Sequence, residues 1–217
     1  MRPGRSGELV SDGLRLMVYD RTCRGRTMLP GLSHAWWLGG LLYRMLGRFD
    51  AVQPVDCWEQ AWDWLGSVEP DRKIAEVQYW GHGKWGSARV DKQTFAGDAL
   101  LRDHAFNPAL RRLRERMLPG DQGLFWFRTC ETFGARPGQQ FAEDLSDFLG
   151  ARVAGHTYII GHIQSGLHSL LPGNKVDGAE TEGLLEGTPD DPTKALWSKL
   201  RHPNTITCLR GDVPHGY

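Results

Sequence analysis

Lys73-Ile-Ala-Glu-Val-Gln-Tyr-Trp-Gly-His82-Gly83 and Gly123-Leu-Phe-Trp-Phe-Arg-Thr-Cys130-Glu-Thr-Phe-Gly134 are the two stretches that indicate the fold of this 217-residue chain. Each is a short apolar run that stops at a reactive side chain and is followed closely by glycine. In an open α/β sheet, the carboxyl ends of the strands line the ligand crevice. We therefore expect His82 and Cys130 to lie on neighbouring strands, at the same edge of one sheet.

Strands and helices alternate around these two runs. The predicted strands are 14–19, 51–55, 74–80, 124–129, 152–160 and 205–209. The predicted helices are 34–46, 57–65, 108–117, 139–149 and 192–200, with Ser33 and Asp56 as N-caps of the first two. Pro54 argues that strand 51–55 lies at an edge. The stretch 166–191 is rich in Gly, Pro, Asp and Glu, which predicts irregular structure.

This alternation predicts an α/β fold in which helices cover both faces of a mostly parallel sheet, a three-layer α/β/α arrangement. Helix 34–46 is apolar, with Trp37, Leu41, Leu42, Met45 and Leu46 at helical spacing. Most of the nine tryptophans, including Trp37, fall in apolar or amphipathic runs; most of these are interpreted as core residues and a few as lining a groove. We expect a loose leader over 1–12 and a single domain over 13–217.

The composition limits the function classes. Basic and acidic side chains number 26 each, and no basic stripe is interleaved with aromatics, so the sequence does not predict nucleic-acid binding. No apolar run reaches the 18 or so residues of a membrane span, and the first residues do not resemble a secretory signal. The four cysteines are scattered, with no CxxC pair, which favours a reduced, cytoplasmic setting.

His82 and Cys130 together predict a base and a thiol nucleophile. They are 48 residues apart in the sequence, close to the roughly 50 residues that separate the histidine and cysteine of caspases. Gly83 lets the main chain approach a substrate carbonyl closely. Cys130 is expected where a strand gives way to a helix, where N–H dipoles favour a thiolate.

Trp80-Gly-His82-Gly83, Phe127-Arg-Thr-Cys130-Glu-Thr-Phe-Gly134 and the order of the predicted elements resemble the caspase-like (clan CD) cysteine peptidases over roughly 13–160. The resemblance implies a caspase-like fold and a cysteine endopeptidase that cleaves protein or peptide substrates, itself included. It implies that His82 is the catalytic histidine and Cys130 the nucleophile. It also implies that the N–H groups of Gly83 and Cys130 form the oxyanion hole, and it requires no metal or cofactor.

Two arginines are candidate substrate-binding residues. Caspases often have glutamine two residues before the nucleophile, where this chain has Arg128. On a strand, Arg128 and Cys130 point to the same face. Arg21, at the end of the first strand, is close enough in the predicted fold to reach the same crevice. Two guanidinium groups there would favour a substrate carboxylate. The alternative is that Arg128 pairs with Glu76 or Asp20 and only holds the sheet together.

Three other interpretations compete with the peptidase. A non-catalytic caspase-fold module could bind a protein partner through the same crevice. The run Gly81-His-Gly-Lys-Trp-Gly86 matches a dinucleotide-binding fingerprint, although it occurs at the third strand and no good helix start follows it. Cys130, His156 and His162 could be zinc ligands, but their spacing is not that of a known zinc motif. We expect His156 and His162 to share one strand face near the site.

Overall fold

The computed structural model describes residues 13–26 and 29–217, so the predicted leader 1–12 lies outside the described residues. The strands are β1 (Leu14–Asp20), β2 (Gly25–Arg26), β3 (Leu29–Pro30), β4 (Ala51–Val55), β5 (Ile74–Trp80), β6 (His82–Lys84), β7 (Ser87–Val90), β8 (Gln93–Ala96), β9 (Gly120–Arg128), β10 (Ala151–His156), β11 (Ile163–Gln164), β12 (Leu167–Leu170), β13 (Leu184–Gly187), β14 (Pro192–Ala195) and β15 (Ile206–Thr207). The α-helices are α1 (Leu32–Met45), α2 (Trp58–Ser67), α3 (Asn107–Arg116) and α4 (Ala135–Leu149). A 3₁₀ turn spans Gly97–Leu100.

Six strands form the central sheet in the order β12-β10-β9-β5-β1-β4. All neighbouring pairs are parallel except β10 with β12, which is antiparallel. The fold is therefore mixed α/β with a mostly parallel central sheet, as the alternation of strands and helices predicts. β4 lies at an edge of the sheet, as Pro54 predicts, because proline has no N–H group to donate to a second neighbouring strand.

Side chains on the central strands alternate between two faces. Val18 of β1, Tyr79 of β5 and Phe127 of β9 belong to one large cluster with residues of α2, α3 and α4. Tyr19 and Trp80, one residue further along their strands, pack on the other side with residues of α1. Near-continuous burial along β1, β5 and β9 is typical of parallel strands covered on both faces.

The sequence predictions fail mainly near the carboxyl end. The predicted helix 192–200 is wrong, because Pro192–Ala195 is strand β14, paired with β13. The predicted irregular stretch contains β12, which adds an antiparallel edge to the central sheet. Ser33 and Asp56 are not the N-caps; those positions are Gly31 and Cys57. Ser33 instead donates to the Cys23 carbonyl, and Asp56 pairs with Arg21.

Helix α1 turns its small residues and Tyr43 to the protein and its large apolar residues outward. Ser33, Gly40 and Tyr43 are buried. The exposed fraction is 54% for Trp37 and 77% for Met45, so neither side chain belongs to the core. Leu38, Leu41, Leu42 and Leu46 are exposed as well.

In the part of the chain that the structure describes, no helix has the length and apolar character needed to cross a membrane.

Candidate functional site

The candidate site lies at the edge where the parallel strands β1, β5 and β9 end. Tyr19 lies opposite Trp80 in the β1–β5 pair, and Trp80 lies opposite Arg128 in the β5–β9 pair. His82 and Cys130 each follow two residues after that last pair. Both residues therefore lie just beyond the ends of two adjacent parallel strands, which the sequence predicts.

At Gly83 the chain that follows β5 approaches the segment around Cys130 closely. A Cβ atom added to Gly83 would lie 2.8 Å from the Cys130 carbonyl oxygen and would overlap Thr132 Oγ1. The segment after Cys130 is fixed from its other side, because Glu131 N–H and Phe133 N–H donate to the carbonyls of Tyr158 and His156 at 3.0 Å. Only glycine at position 83 permits this approach without displacing the segment that carries Cys130.

The sulfur atom in contact with the His82 ring is that of Cys23, which the sequence interpretation did not include. Cys23 Sγ lies 3.2 Å from His82 Nε2, whereas the recorded contact of Cys130 Sγ is with the Ile160 carbonyl, at 3.8 Å. The Cys23 thiol also donates to Asp20 Oδ2 at 3.7 Å. The only sequence signal for these residues was their position at the end of the first strand.

Asp20 is a buried carboxylate, 1% exposed, at the last position of β1. Its Oδ1 accepts hydrogen bonds from the N–H and the hydroxyl of Thr22, at 2.8 and 2.7 Å. These bonds turn the chain sharply after the strand and bring Cys23 back toward the sheet. The ring of Trp36 in α1 packs edge-on against the His82 ring, with 5.7 Å between the centroids.

Burial dominates the electrostatics of the site. It raises the pKa of the Cys130 thiol and of the Cys23 thiol, and the Asp20 carboxylate raises the pKa of Cys23 further. Burial lowers the pKa of His82, against an opposing effect of Asp20. The expected stabilisation of a Cys130 thiolate by a helix is absent, because α4 begins five residues later, at Ala135. Both thiols and the imidazole are therefore neutral near pH 7.

Arg128 is 3% exposed, and its guanidinium lies between the rings of Trp80 and Trp126, at 4.7 and 4.6 Å from their centroids. It donates to Tyr43 Oη, to Gln164 Oε1 and to the carbonyls of Cys208 and Arg210. No hydrogen bond from Arg128 to Glu76 or Asp20 is recorded among the described residues. A substrate carboxylate would reach this guanidinium only if residues 208–210 moved aside.

Arg21 lies apart from that interior position. It is an exposed side chain whose guanidinium makes two hydrogen bonds to the Asp56 carboxylate.

Glu131, next to Cys130, was not singled out from the sequence. It is 9% exposed, has φ +39°, and its Oε2 has no hydrogen-bond partner within the described residues. Burial raises the pKa of this carboxyl, against an opposing effect of Lys84.

The competing sequence motifs have structural explanations. The glycine-rich run that suggested a dinucleotide site is the start of a β-hairpin formed by β6 and β7, and it opens no helix. His156 is fully buried and its Nδ1–H donates to the Ser165 carbonyl, whereas His162 is exposed, so the two do not share a groove. Among the described residues, no group of three or more His, Cys, Asp or Glu side chains could hold a metal ion.

Comparison of the chain with protein-family models gave no match. Searches of curated proteins and of solved structures gave none either. Any assignment of function therefore depends on the residues and geometry of the site itself.

Proposed function

We propose that this protein is a cysteine endopeptidase of three-layer, caspase-like architecture, with His82 as general base and Cys130 as nucleophile. The observation that supports this best is the parallel pairing of β5 with β9, because His82 and Cys130 each follow two residues after the last pair of these strands, Trp80 and Arg128. The contact of Gly83 with the Cys130 main chain supports it further. A cytoplasmic location belongs to the same proposal, because the four cysteines are free thiols.

In the proposed cycle, His82 takes the proton of the Cys130 thiol as the sulfur bonds to the carbonyl carbon of the scissile peptide. The N–H groups of Gly83 and Cys130 donate to the resulting oxyanion. The imidazolium then gives its proton to the departing amine as the C–N bond breaks. A water molecule, deprotonated by His82, attacks the acyl group, and the released sulfur regains its proton. Because burial raises the pKa of Cys130, this scheme requires proton transfer to His82 rather than a preformed thiolate.

One observation favours the alternative, a non-catalytic module that binds a partner protein at the same edge of the sheet. Neither thiol is activated in this state, since burial raises the pKa of both Cys23 and Cys130. In such a module the four cysteines would react with electrophiles according to exposure alone.

Alkylation mapped by mass spectrometry distinguishes the two functions. For the peptidase we expect one equivalent of iodoacetamide or a peptidyl electrophile to react with Cys130 at least about tenfold faster than with Cys57, which is also half-buried. His82→Ala should remove that advantage, and Cys130→Ala should abolish peptide cleavage or self-processing without unfolding the chain. Equal, slow labelling of Cys57 and Cys130, unaffected by His82→Ala, would exclude the peptidase.

A further inference from the structure

The loop after β1 presents a short chain of polar atoms to the His82 ring. It runs from Asp20 Oδ2 to Cys23 Sγ, 3.7 Å apart, and from Cys23 Sγ to His82 Nε2, 3.2 Å apart. The main chain of Cys23 is anchored as well, because its carbonyl accepts hydrogen bonds from Ser33 N–H and Ser33 Oγ at 3.2 and 2.8 Å. The thiol is therefore held in place from both ends of the loop.

The direction of the hydrogen bonds along this chain follows from the chemistry of Asp20. An ionised carboxylate only accepts hydrogen bonds, whereas a thiol can donate one and accept another. With its hydrogen directed to Asp20, the Cys23 sulfur faces His82 with a lone pair. The Nε2 atom must then carry the ring proton, and Nδ1 is left as the unprotonated, basic nitrogen.

We propose that Cys23, backed by Asp20, is a positioning residue that fixes His82 as the Nε2–H tautomer and leaves Nδ1 to accept the proton of Cys130. The consequence for Cys130 rests on the proposed function, whereas the tautomer of His82 does not. Cys23 is thus the third residue of the site, beside His82 and Cys130, and the sequence motifs indicated no residue for this role.

The tautomer is measured by ¹⁵N NMR of the histidine-labelled protein. We expect the wild type and Cys23→Ser to show protonated Nε2 and unprotonated Nδ1, because a hydroxyl can also donate to Asp20 and accept from Nε2. Cys23→Ala should lose this preference. Cys208→Ala is the matched control, since it removes a half-buried thiol that makes no recorded contact with His82. A wild-type His82 protonated at Nδ1 would overturn the proposal.

Asp20→Asn makes a sharper test. Asp20 Oδ1 is held by two Thr22 donors, so the new amide must direct its NH₂ group, in place of Oδ2, toward Cys23. The thiol would then donate to Nε2 instead, and the protonated nitrogen of His82 should become Nδ1. An unchanged tautomer in a folded Asp20→Asn protein would contradict the proposed chain. If burial of the amide prevents folding, the Cys23 variants still decide the matter.

The same variants separate this inference from the proposed function. Loss of one orienting hydrogen bond should slow alkylation of Cys130 in Cys23→Ala by about 3- to 10-fold, with Cys23→Ser within about twofold of wild type. Where His82→Ala does slow the alkylation of Cys130, an unchanged rate in Cys23→Ala, or faster alkylation of Cys23 than of Cys130 in the wild type, would overturn the positioning role. If Cys130 shows no His82-dependent reactivity while the tautomers behave as expected, the peptidase fails and the role of Cys23 at His82 stands.

Discussion

At the scale of single residues, the site depends on close approaches that only one side chain permits. Gly83 is the clearest case, because the Cys130 carbonyl and Thr132 Oγ1 already occupy the space of a Cβ atom. Gly97 is a useful contrast, since a Cβ atom there would meet nothing within 4 Å. Both are glycines, and only the first is confined by its surroundings.

We expect Gly83→Ala to destabilise the protein by about 1–3 kcal/mol, because the added methyl group overpacks the segment that carries Cys130. It should also slow alkylation of Cys130, since that segment must shift. Urea unfolding gives the first quantity and mass spectrometry the second. Gly97→Ala, the matched control, should change neither. A Gly83→Ala protein with wild-type stability and reactivity would show that the segment carrying Cys130 leaves room for a side chain at position 83, contrary to the prediction.

At the scale of elements, the guanidinium of Arg116 links α3 to the end of α2 through several hydrogen bonds. Arg116, in the last turn of α3, donates to the carbonyls of Leu65 and Val68 at 2.6 Å, and to those of Glu69 and Arg72 at 2.9 and 3.0 Å. These groups belong to the end of α2 and the turn after it, where helical carbonyls have no partners of their own. Arg116 therefore supplies the C-terminal cap of a neighbouring helix.

Arg116→Met retains most of the apolar stem but leaves these carbonyls without their charged donor. We expect the free energy of unfolding to fall by about 2 kcal/mol, the usual range for hydrogen bonds to a charged group. Arg114→Met, an exposed position on the same helix, should change it by less than about 0.5 kcal/mol. Equal effects of the two substitutions in chemical denaturation would mean that the cap contributes nothing.

At the scale of the whole molecule, the last third of the chain is attached to the sheet through buried polar groups. His156, at the end of β10, contacts the Ser165 carbonyl at 3.1 Å, and its Nε2 has no partner among the described residues. Nearby, Glu182 Oε1 accepts from Thr157 Oγ1 at 2.7 Å and lies 2.8 Å from His168 Nε2. Burial lowers the pKa of His156 from 6.5 to about 3.

This buried histidine makes stability depend on pH. Between about pH 3 and 6.5 the unfolded chain binds a proton at His156 that the folded protein does not, so stability rises with pH across this window and is lost as the pH falls. The contribution is about 1.4 kcal/mol per pH unit near pH 5. His156→Asn can still donate to the Ser165 carbonyl, and it should flatten the slope measured by urea unfolding from pH 5 to 6. The exposed His162→Asn should leave the slope unchanged; an equal slope in both variants would contradict the prediction.

Local sequence patterns were sufficient for the parallel strands of the central sheet and for its helices, but not for the antiparallel edge strand β12. The strands 51–55 and 74–80 were predicted at their observed bounds. The pattern of apolar residues along a strand depends on which of its own faces are buried, so it can be read from the local sequence. The positions of His82 and Cys130 beyond adjacent strand ends also followed from the sequence, since parallel strands all end at one edge. The motif thus identified the candidate histidine and one candidate thiol.

The tertiary structure alone decided which groups meet at that edge. Cys23 is 59 residues from His82 in the sequence, and no local pattern encodes the turn at Asp20 that brings the sulfur to the ring. Local sequence also does not predict the partners of Arg128, whose guanidinium donates to carbonyls about 80 residues later in the chain. Helix α1 was predicted, but its outward-facing Trp37 and Met45 were not, because helical periodicity does not reveal which face has a neighbour. Secondary structure follows from local pattern, whereas contacts between distant residues depend on how the elements pack.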